Sequence, residues 1–364
     1  MLTKAEINLN NFEHNVSYLK SLNETSEIYP VIKANAYGHG IREVAIKLEQ
    51  LDIKCVCIAT INELVNLKDM NLQNSIFHLG RMAFDSLHNY EDKRIIATIH
   101  SIDDVKLINK YFNKNKYIRV HIKVDTGMTR MGCHLSDFES IFKECINSSV
   151  IKLEGIYSHL ANSENNDSLY NKFQFSNFNK ILSLVKKNIK DNNLKFHLLN
   201  SGGLFNFKEY KLDATRIGLA MYGIYPYGLS GKNLKPVMKL TSPIVLNKKI
   251  SKGTRIGYGC NFEAKNDMKV SIVQCGYADG LPYYFSNKGM FDLNNKSVPI
   301  LGAVSMDLVC IDTTNIDCSI NDRVTIWGGN LNKNRIENIA KQFNVIPYTL
   351  ITGLSNRIER EYID

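Results

Sequence analysis

The stretch "VIKANAYGHG", residues 31–40, puts Lys33 at the end of an apolar run and follows it with Asn, Tyr, Gly and His. A lysine at the tip of a buried strand loses solvation, so its ammonium is disfavoured, its pKa falls and it becomes a usable amine nucleophile. That is the physical requirement for an imine with an aldehyde cofactor. Taken alone, such a lysine is more often ion-paired or snorkelling, so its meaning depends on its company. Four further polar residues end or follow apolar runs: Arg130 after "HIKVDTGM", His159 in "YSHLA", Ser201 in "LNSGG" and Arg216 in "ATRIG". Beside Ser201, Gly202 and Gly203 let a backbone approach an anion closely. By itself an "SGG" is usually only a turn.

The elements that must position these groups alternate. Short runs rich in β-branched residues are "IYPVIKA", "CVCIAT", "SIFHLG", "RIIATIH", "RVHIKVD", "EGIYSH", "FHLLNS" and "ATRIGLAMYG". Between them lie stretches of helical period such as "NNFEHNVSYLKSL", "IREVAIKLEQL", "SIDDVKLINKYF" and "SDFESIFKECI". In the third, Ser101 has Asp104 three residues on, a capping signature. Eight strands alternating with helices predict a (β/α)8 TIM-type barrel, whose catalytic groups lie just past the C-terminal ends of strands. Periodicity alone leaves a doubly wound sheet open. After Pro236 the texture changes to apolar runs broken by Gly, Asn, Asp and Lys, with one late helical stretch, "NRIENIAKQF". The sequence therefore divides into a barrel over residues 1–235 and a mostly β domain over 236–364.

The chain has 364 residues and a formal net charge of +9, but no block of like charge long enough to suggest nucleic-acid binding. None of its eight cysteines forms a CxxC pair and no Cys/His set has zinc spacing, so no metal is expected and the thiols read as reduced and buried. No signal-peptide pattern or membrane-length apolar run is present, and a cytoplasmic protein is expected.

With these residues in view, "VIKANAYGHG" resembles the pyridoxal-phosphate lysine motif of the alanine racemase family. So do "KVDTGMTRMG", "GIYSHLANSE", "LLNSGG", "TRIGLAMYG", "IGYG", "GYADGLP", "VSMD" and "TGLSNR", in the family's order. The resemblance covers both domains and implies a pyridoxal-phosphate enzyme, a homodimer with shared active sites, that interconverts L- and D-alanine. Lys33 would hold the cofactor and act as one acid/base group. Tyr258 would be the other, reaching in from the partner. Racemisation needs such a pair because the α-proton leaves one face and returns on the other. A tyrosine's reference pKa is near 10, so it needs a relay, for which His159 and Arg216 are the family's candidates. Arg216 would face the pyridine nitrogen with His197 behind it; an arginine there cannot give up a proton, which leaves the ring a poorer electron sink. Arg130 would contact the cofactor and the substrate carboxylate, held by Lys123, a lysine the family often carbamylates. Tyr37, Ser201 and the backbone N–H groups of Gly218 and Leu219 would hold the phosphate. Met306 and Asp307 would complete the substrate site from the partner subunit.

The sequence departs from the family at three places. Asn356, in "TGLSNR", stands where some members place a tyrosine that touches the phosphate and crowds the substrate side chain. Asn is smaller and offers a donor and an acceptor, which points to serine as well as alanine. Ala303 and Tyr283 replace two arginines often found at the substrate entrance. Domains of this kind also occur in the membrane-bound serine racemases of vancomycin-resistant bacteria, so the resemblance leaves open a membrane part in a longer parent protein. The product would be D-alanine for cell-wall peptidoglycan precursors, or D-serine in such resistance. Two other readings are a barrel-type pyridoxal-phosphate decarboxylase and a non-catalytic cofactor-binding regulator. The first lacks the pairing of Lys33 with a "GYG" tyrosine, and the second lacks the second domain.

Overall fold

The computed structural model describes residues 2–364 except 114, 115, 167, 190–192, 227, 330 and 331. The chain opens with β1 (Lys4–Asn8), which leads into a helix, Leu9–Ser21. Eight short strands follow: β2 (Glu27–Pro30), β3 (Cys55–Ile58), β4 (Ser75–His78), β5 (Ile95–Ile99), β6 (Ile118–Lys123), β7 (Ile151–Tyr157), β8 (Lys195–His197) and β9 (Ala214–Ile217). All pair in parallel in the order β2-β9-β8-β7-β6-β5-β4-β3. A parallel bridge between Val31 and Cys57 brings the two edges together and all but closes the ring. The expected barrel and its eight strands are thus present. Every residue of "CVCI" and "IIATI" is buried, because helices cover the outside of the ring and side chains fill its inside.

The helices carry their stop and start signals locally. In Leu9–Ser21 the Asn8 side chain accepts from Asn11 N at 2.6 Å, and Phe12, Val16 and Leu19 form the buried stripe. Before the helix Ile102–Tyr111, Asp104 accepts from His100 N and Ser101 N at 2.8 and 3.0 Å, while among the described residues the Ser101 hydroxyl has no hydrogen-bond partner, so only half of the expected cap forms. Of the eight cysteines, six are buried, Cys318 is half-buried and Cys260 is exposed, and all are free thiols.

The second domain is built on β10 (Met238–Ile250), a long strand that pairs antiparallel with Met268–Val273 and with Arg323–Trp327. The sheet also takes in β1, which lies antiparallel to β10 and parallel to the C-terminal strand Glu359–Ile363. The first strand therefore belongs to the β domain, against the expected 1–235 division. Its sequence KAEIN buries only Ala5 and Ile7, the alternation of a strand lying on a sheet with one face covered. No described helix is long and apolar enough to cross a membrane.

This topology folds the end of the β domain back onto the barrel's first loop. Arg360 Nε donates to Gly38 O at 3.2 Å. A Cβ on Gly38 (φ +81°) would lie 2.1 Å from Ile351 O. Glycine is required there by both conformation and space.

Candidate active site

β2 ends at Pro30, and two residues later the chain enters an unusual turn around Lys33. Ala34, Asn35, Ala36 and Tyr37 all have φ between +52° and +54°, so four consecutive non-glycine residues are left-handed. Each costs about 1–2 kcal/mol relative to the right-handed form, and such strain persists only where neighbours over-determine it. Several bonds do so here. Ala36 N donates to Ile32 O at 2.9 Å, Ile41 N to the Asn35 side chain at 2.9 Å and Ala34 N to the Glu63 carboxylate at 2.6 Å.

The turn presents Lys33 to a cavity of about 460 Å³ at the C-terminal ends of the strands. A second cavity, of about 680 Å³, opens at the opposite end of the barrel among Tyr29, Arg119, His121 and Glu154. Its charges are already spent on one another, Arg119 with Glu154 at 2.8 Å and Lys195 with Glu27. The smaller one lies on the face where barrels of this kind place their catalytic groups.

Lys33, Tyr37, Lys123, Arg130, His159, Ser201, Arg216, Gly218 and Leu219 all line that cavity. Burial first, then Arg130, hold the Lys33 amine below the usual lysine range, with Glu63 opposing them. Lys123 is pushed down to about 7, by burial and then by Arg216 and Arg130.

Arg216 is the most constrained side chain of the group. Its Nη1 donates to His197 Nδ1 and to His197 O (3.2 Å), and its Nη2 to Ser158 O, to Leu198 O (3.2 Å) and to His159 Nδ1 (3.2 Å). Its plane lies over the Tyr157 ring, 4.8 Å from the centroid. Among the described residues its Nε has no acceptor and is the donor left for the cavity. The chain runs on inward: His197 Nε2 meets His121 Nδ1 at 2.8 Å. Because Nδ1 of His197 accepts from Arg216, its proton sits on Nε2, and His121 Nδ1 must accept in turn. Burial keeps both rings neutral, His121 pushed down to about 3.

The other end of the cavity is a cradle. Gly218 N donates to Ser201 Oγ at 3.2 Å. A Cβ at Gly218 would lie 2.4 Å from the Tyr37 hydroxyl. Tyr37 itself is wedged between Tyr222 (5.0 Å) and Tyr348 (5.9 Å).

Five expected site residues do not line this chain's own cavity: His197 is buried behind Arg216, and the other four stand elsewhere. Tyr258 is 75% exposed on a short turn of the β domain, Met306 is 52% exposed, and Asp307 is exposed and bridged to Arg357 at 2.7 Å. Asn356 is also exposed and forms none of the cavity wall. Tyr348, eight positions earlier on the helix Pro347–Thr352, is the aromatic that this segment supplies instead. Ala303 is buried and Tyr283 is 59% exposed. Sequence reasoning missed Tyr348, Glu164, Tyr157, His121 and Glu63. Only Glu63 carried a local signal, the Thr60-x-x-Glu63 capping box.

Barrel, β domain, lysine turn and anchored arginine bring an amine and a guanidinium together in one cavity at the C-terminal end of the barrel. Family models for the alanine racemase N-terminal domain and C-terminal domain match residues 7–226 and 237–362. The chain belongs to the alanine racemase family. It is 33% identical to alanine racemase 2 of Caldanaerobacter subterraneus subsp. tengcongensis over 370 residues, covering 99% of this chain and 95% of that one. It is 33% identical to the alanine racemase of Methanococcus maripaludis over 368 residues, covering 99% and 98%. The crystal structure of alanine racemase from Bartonella henselae with covalently bound pyridoxal phosphate superposes with a TM-score of 0.88 at 29% identity, covering all of both chains.

The residues present fit that cofactor. The cavity has a lysine at one wall and an arginine donor at another. Its far end has no Cβ at Gly202 or Gly218, where hydroxyls of Tyr37 and Ser201 converge.

Proposed function

We propose that this chain is a pyridoxal-phosphate-dependent racemase that interconverts L- and D-alanine by proton transfer between Lys33 on one face of the substrate carbon and Tyr258 of a second copy on the other. The observation that carries the reading is the pairing of Lys33, depressed and aimed into a cradle-ended cavity, with Arg216, fixed by five acceptors. When bound, the cofactor supplies the electron sink that makes the α-proton removable.

The chain's own residues do the rest. Lys33 holds the cofactor and carries a proton at Nζ. Tyr37, Ser201, Gly218 and Leu219 hold its phosphate. Arg216 offers Nε to the ring nitrogen without giving up a proton, and His197 holds the guanidinium in place. His159, which accepts from Arg216 and lines the cavity, would serve as the relay toward Tyr258. Arg130 binds the substrate carboxylate. Lys123, an amine pushed down to about 7 and so about half neutral near pH 7, is suited to carbamylation, which would place an anion beside Arg130. Tyr258 and Met306 stand out from their own domain, as groups serving a partner's site must. Asp307 would join them there. The unit is therefore a homodimer, barrel facing β domain, with the division near residue 235 kept except for β1.

Alanine is the substrate of this reading and D-alanine for cell-wall precursors its use. Serine as a second substrate, and the link to a membrane-bound resistance enzyme, rest on the small polar Asn356 alone, which lies outside this chain's own cavity wall. The test follows loss of optical rotation from L-alanine and L-serine in parallel, with Tyr258→Phe as control. Racemisation of alanine that Tyr258→Phe abolishes is expected. Cofactor binding with neither substrate racemised would overturn the reading, and alanine turnover without serine turnover would remove only the serine part.

A further inference from the structure

The Glu63 carboxylate joins two features that the chain otherwise keeps apart. It sits at the third position of the helix Ile61–Lys68, where Oε2 accepts from Ala59 N at 2.9 Å and Thr60 N at 3.0 Å. Thr60 Oγ1 returns the favour by accepting from Glu63 N at 3.3 Å, which completes a capping box. A capping box uses one carboxylate oxygen. The other, Oε1, reaches across to the next loop and accepts from Ala34 N at 2.6 Å. Ala34 is the residue directly after Lys33 and the first of the four left-handed residues. The turn's later residues are tied by Ile41 N to Asn35 and by Arg360 to Gly38. At its first residue, Ala34 N has the Glu63 carboxylate as its acceptor.

We propose that Glu63 is a positioning residue for Lys33, pinning the start of the left-handed turn so that the amine faces the cavity. This rests on Lys33 being the residue that holds the cofactor. The carboxylate also places an opposite charge near an amine that faces Arg130 and Cys57, with Lys123 and His159 within electrostatic reach. Its loss therefore removes both a hydrogen bond that sets direction and a charge that favours the ammonium.

The substitutions separate these effects from helix capping. Glu63→Gln keeps the length, but its carbonyl can serve either Ala34 N or the pair Ala59 N and Thr60 N, and its NH2 meets the N–H on the other side. Glu63→Asp keeps the charge and loses the reach. Thr60→Ala removes the capping hydroxyl and leaves the bond to Ala34 intact. The measurement is the rate at which apo-protein forms its lysine–cofactor bond, followed by absorbance from pH 6 to 10, with thermal unfolding of each apo-variant alongside.

Glu63→Gln should slow attachment at least tenfold and move the midpoint of its pH dependence downward. The reacting form is the neutral amine, and losing the carboxylate lets it appear at lower pH. Glu63→Asp should slow attachment with little movement of the midpoint. Thr60→Ala should stay within about threefold of the parent at the same midpoint, even where its unfolding temperature falls as far. If Glu63→Gln leaves the midpoint unchanged and slows attachment no more than Thr60→Ala, Glu63 is a helix cap only. Borohydride reduction of the loaded parent and mapping of the modified peptide tests the underlying assignment separately. Label on a lysine other than Lys33 would overturn that assignment, whatever Glu63 does.

Discussion

Gly218→Ala puts one methyl group at the point where the account places the cofactor's phosphate. The added Cβ would lie 2.4 Å from the Tyr37 hydroxyl and 2.9 Å from the ring carbon that bears it. Tyr37 is held between Tyr222 and Tyr348, so its ring has little room to retreat. The hydroxyl must leave its place, and one hydrogen bond to a charged group goes with it. Such a bond contributes about 1.5–3 kcal/mol, so cofactor affinity should fall roughly 10- to 150-fold. The assay is equilibrium titration of apo-protein with cofactor, beside thermal unfolding to show that the fold survives. Tyr37→Phe removes the hydroxyl directly, and the two changes act on one atom. The double variant should therefore lie within about 0.5 kcal/mol of the worse single one. Full additivity, or unchanged affinity in Gly218→Ala, would refute the assignment of this end of the cavity to phosphate.

Three further outcomes follow from the same geometry. Arg216→Lys keeps the charge but cannot meet His197, His159, Ser158 O and Leu198 O together. It should lower turnover by about 100-fold, the worth of one or two charged hydrogen bonds, as read in steady-state racemisation. Lys123 loses its proton near 7 in the folded protein and near 10.4 when unfolded, so the unfolded chain binds the extra proton between those limits. The Lys123 contribution to apo-protein stability in CO2-free buffer, read as parent minus Lys123→Met, should therefore rise from pH 7 to 10 by up to about 1.4 kcal/mol per pH unit. Buried thiols such as Cys133 and Cys145 pull the total the other way above about 8.5. Urea titrations of the two proteins read the difference, and 13C-bicarbonate should give a carbamate resonance in the parent that the variant lacks. Gly40→Ala should destabilise the fold by about 2 kcal/mol or more in the same titrations. Gly40 has φ +102°, and its Cβ would fall 1.8 Å from the Tyr362 hydroxyl on the C-terminal strand.

The barrel was legible because its strands are short, runs such as "CVCI" and "IIATI" are buried throughout, and helical periods lie between them, a pattern that local sequence carries by itself. Lys33 and Arg216 were legible as charges ending such runs. What stayed hidden depends on contacts between distant segments. Tyr348 enters the cavity only because the C-terminal strand returns to pair with β1, and no periodicity near residue 348 announces that. The placement of β1 in the second sheet was hidden for the same reason, since a half-buried pentapeptide fits either domain. His121 reads as an ordinary strand residue until β8 brings His197 beside it. Asn356, placed by resemblance, is exposed and outside the wall of this chain's own cavity, while Tyr348, eight positions earlier, lines it.

The central claim is that each site combines Lys33 of one chain with Tyr258 of another. Lys33→Ala and Tyr258→Phe proteins, each inactive alone, are mixed under conditions that allow dimers to exchange. Half the dimers are then mixed, and one of the two sites in each has both intact residues. Alanine racemisation should return to about a quarter of the parent activity. No recovery, with exchange verified by mass, would contradict a site shared between two copies.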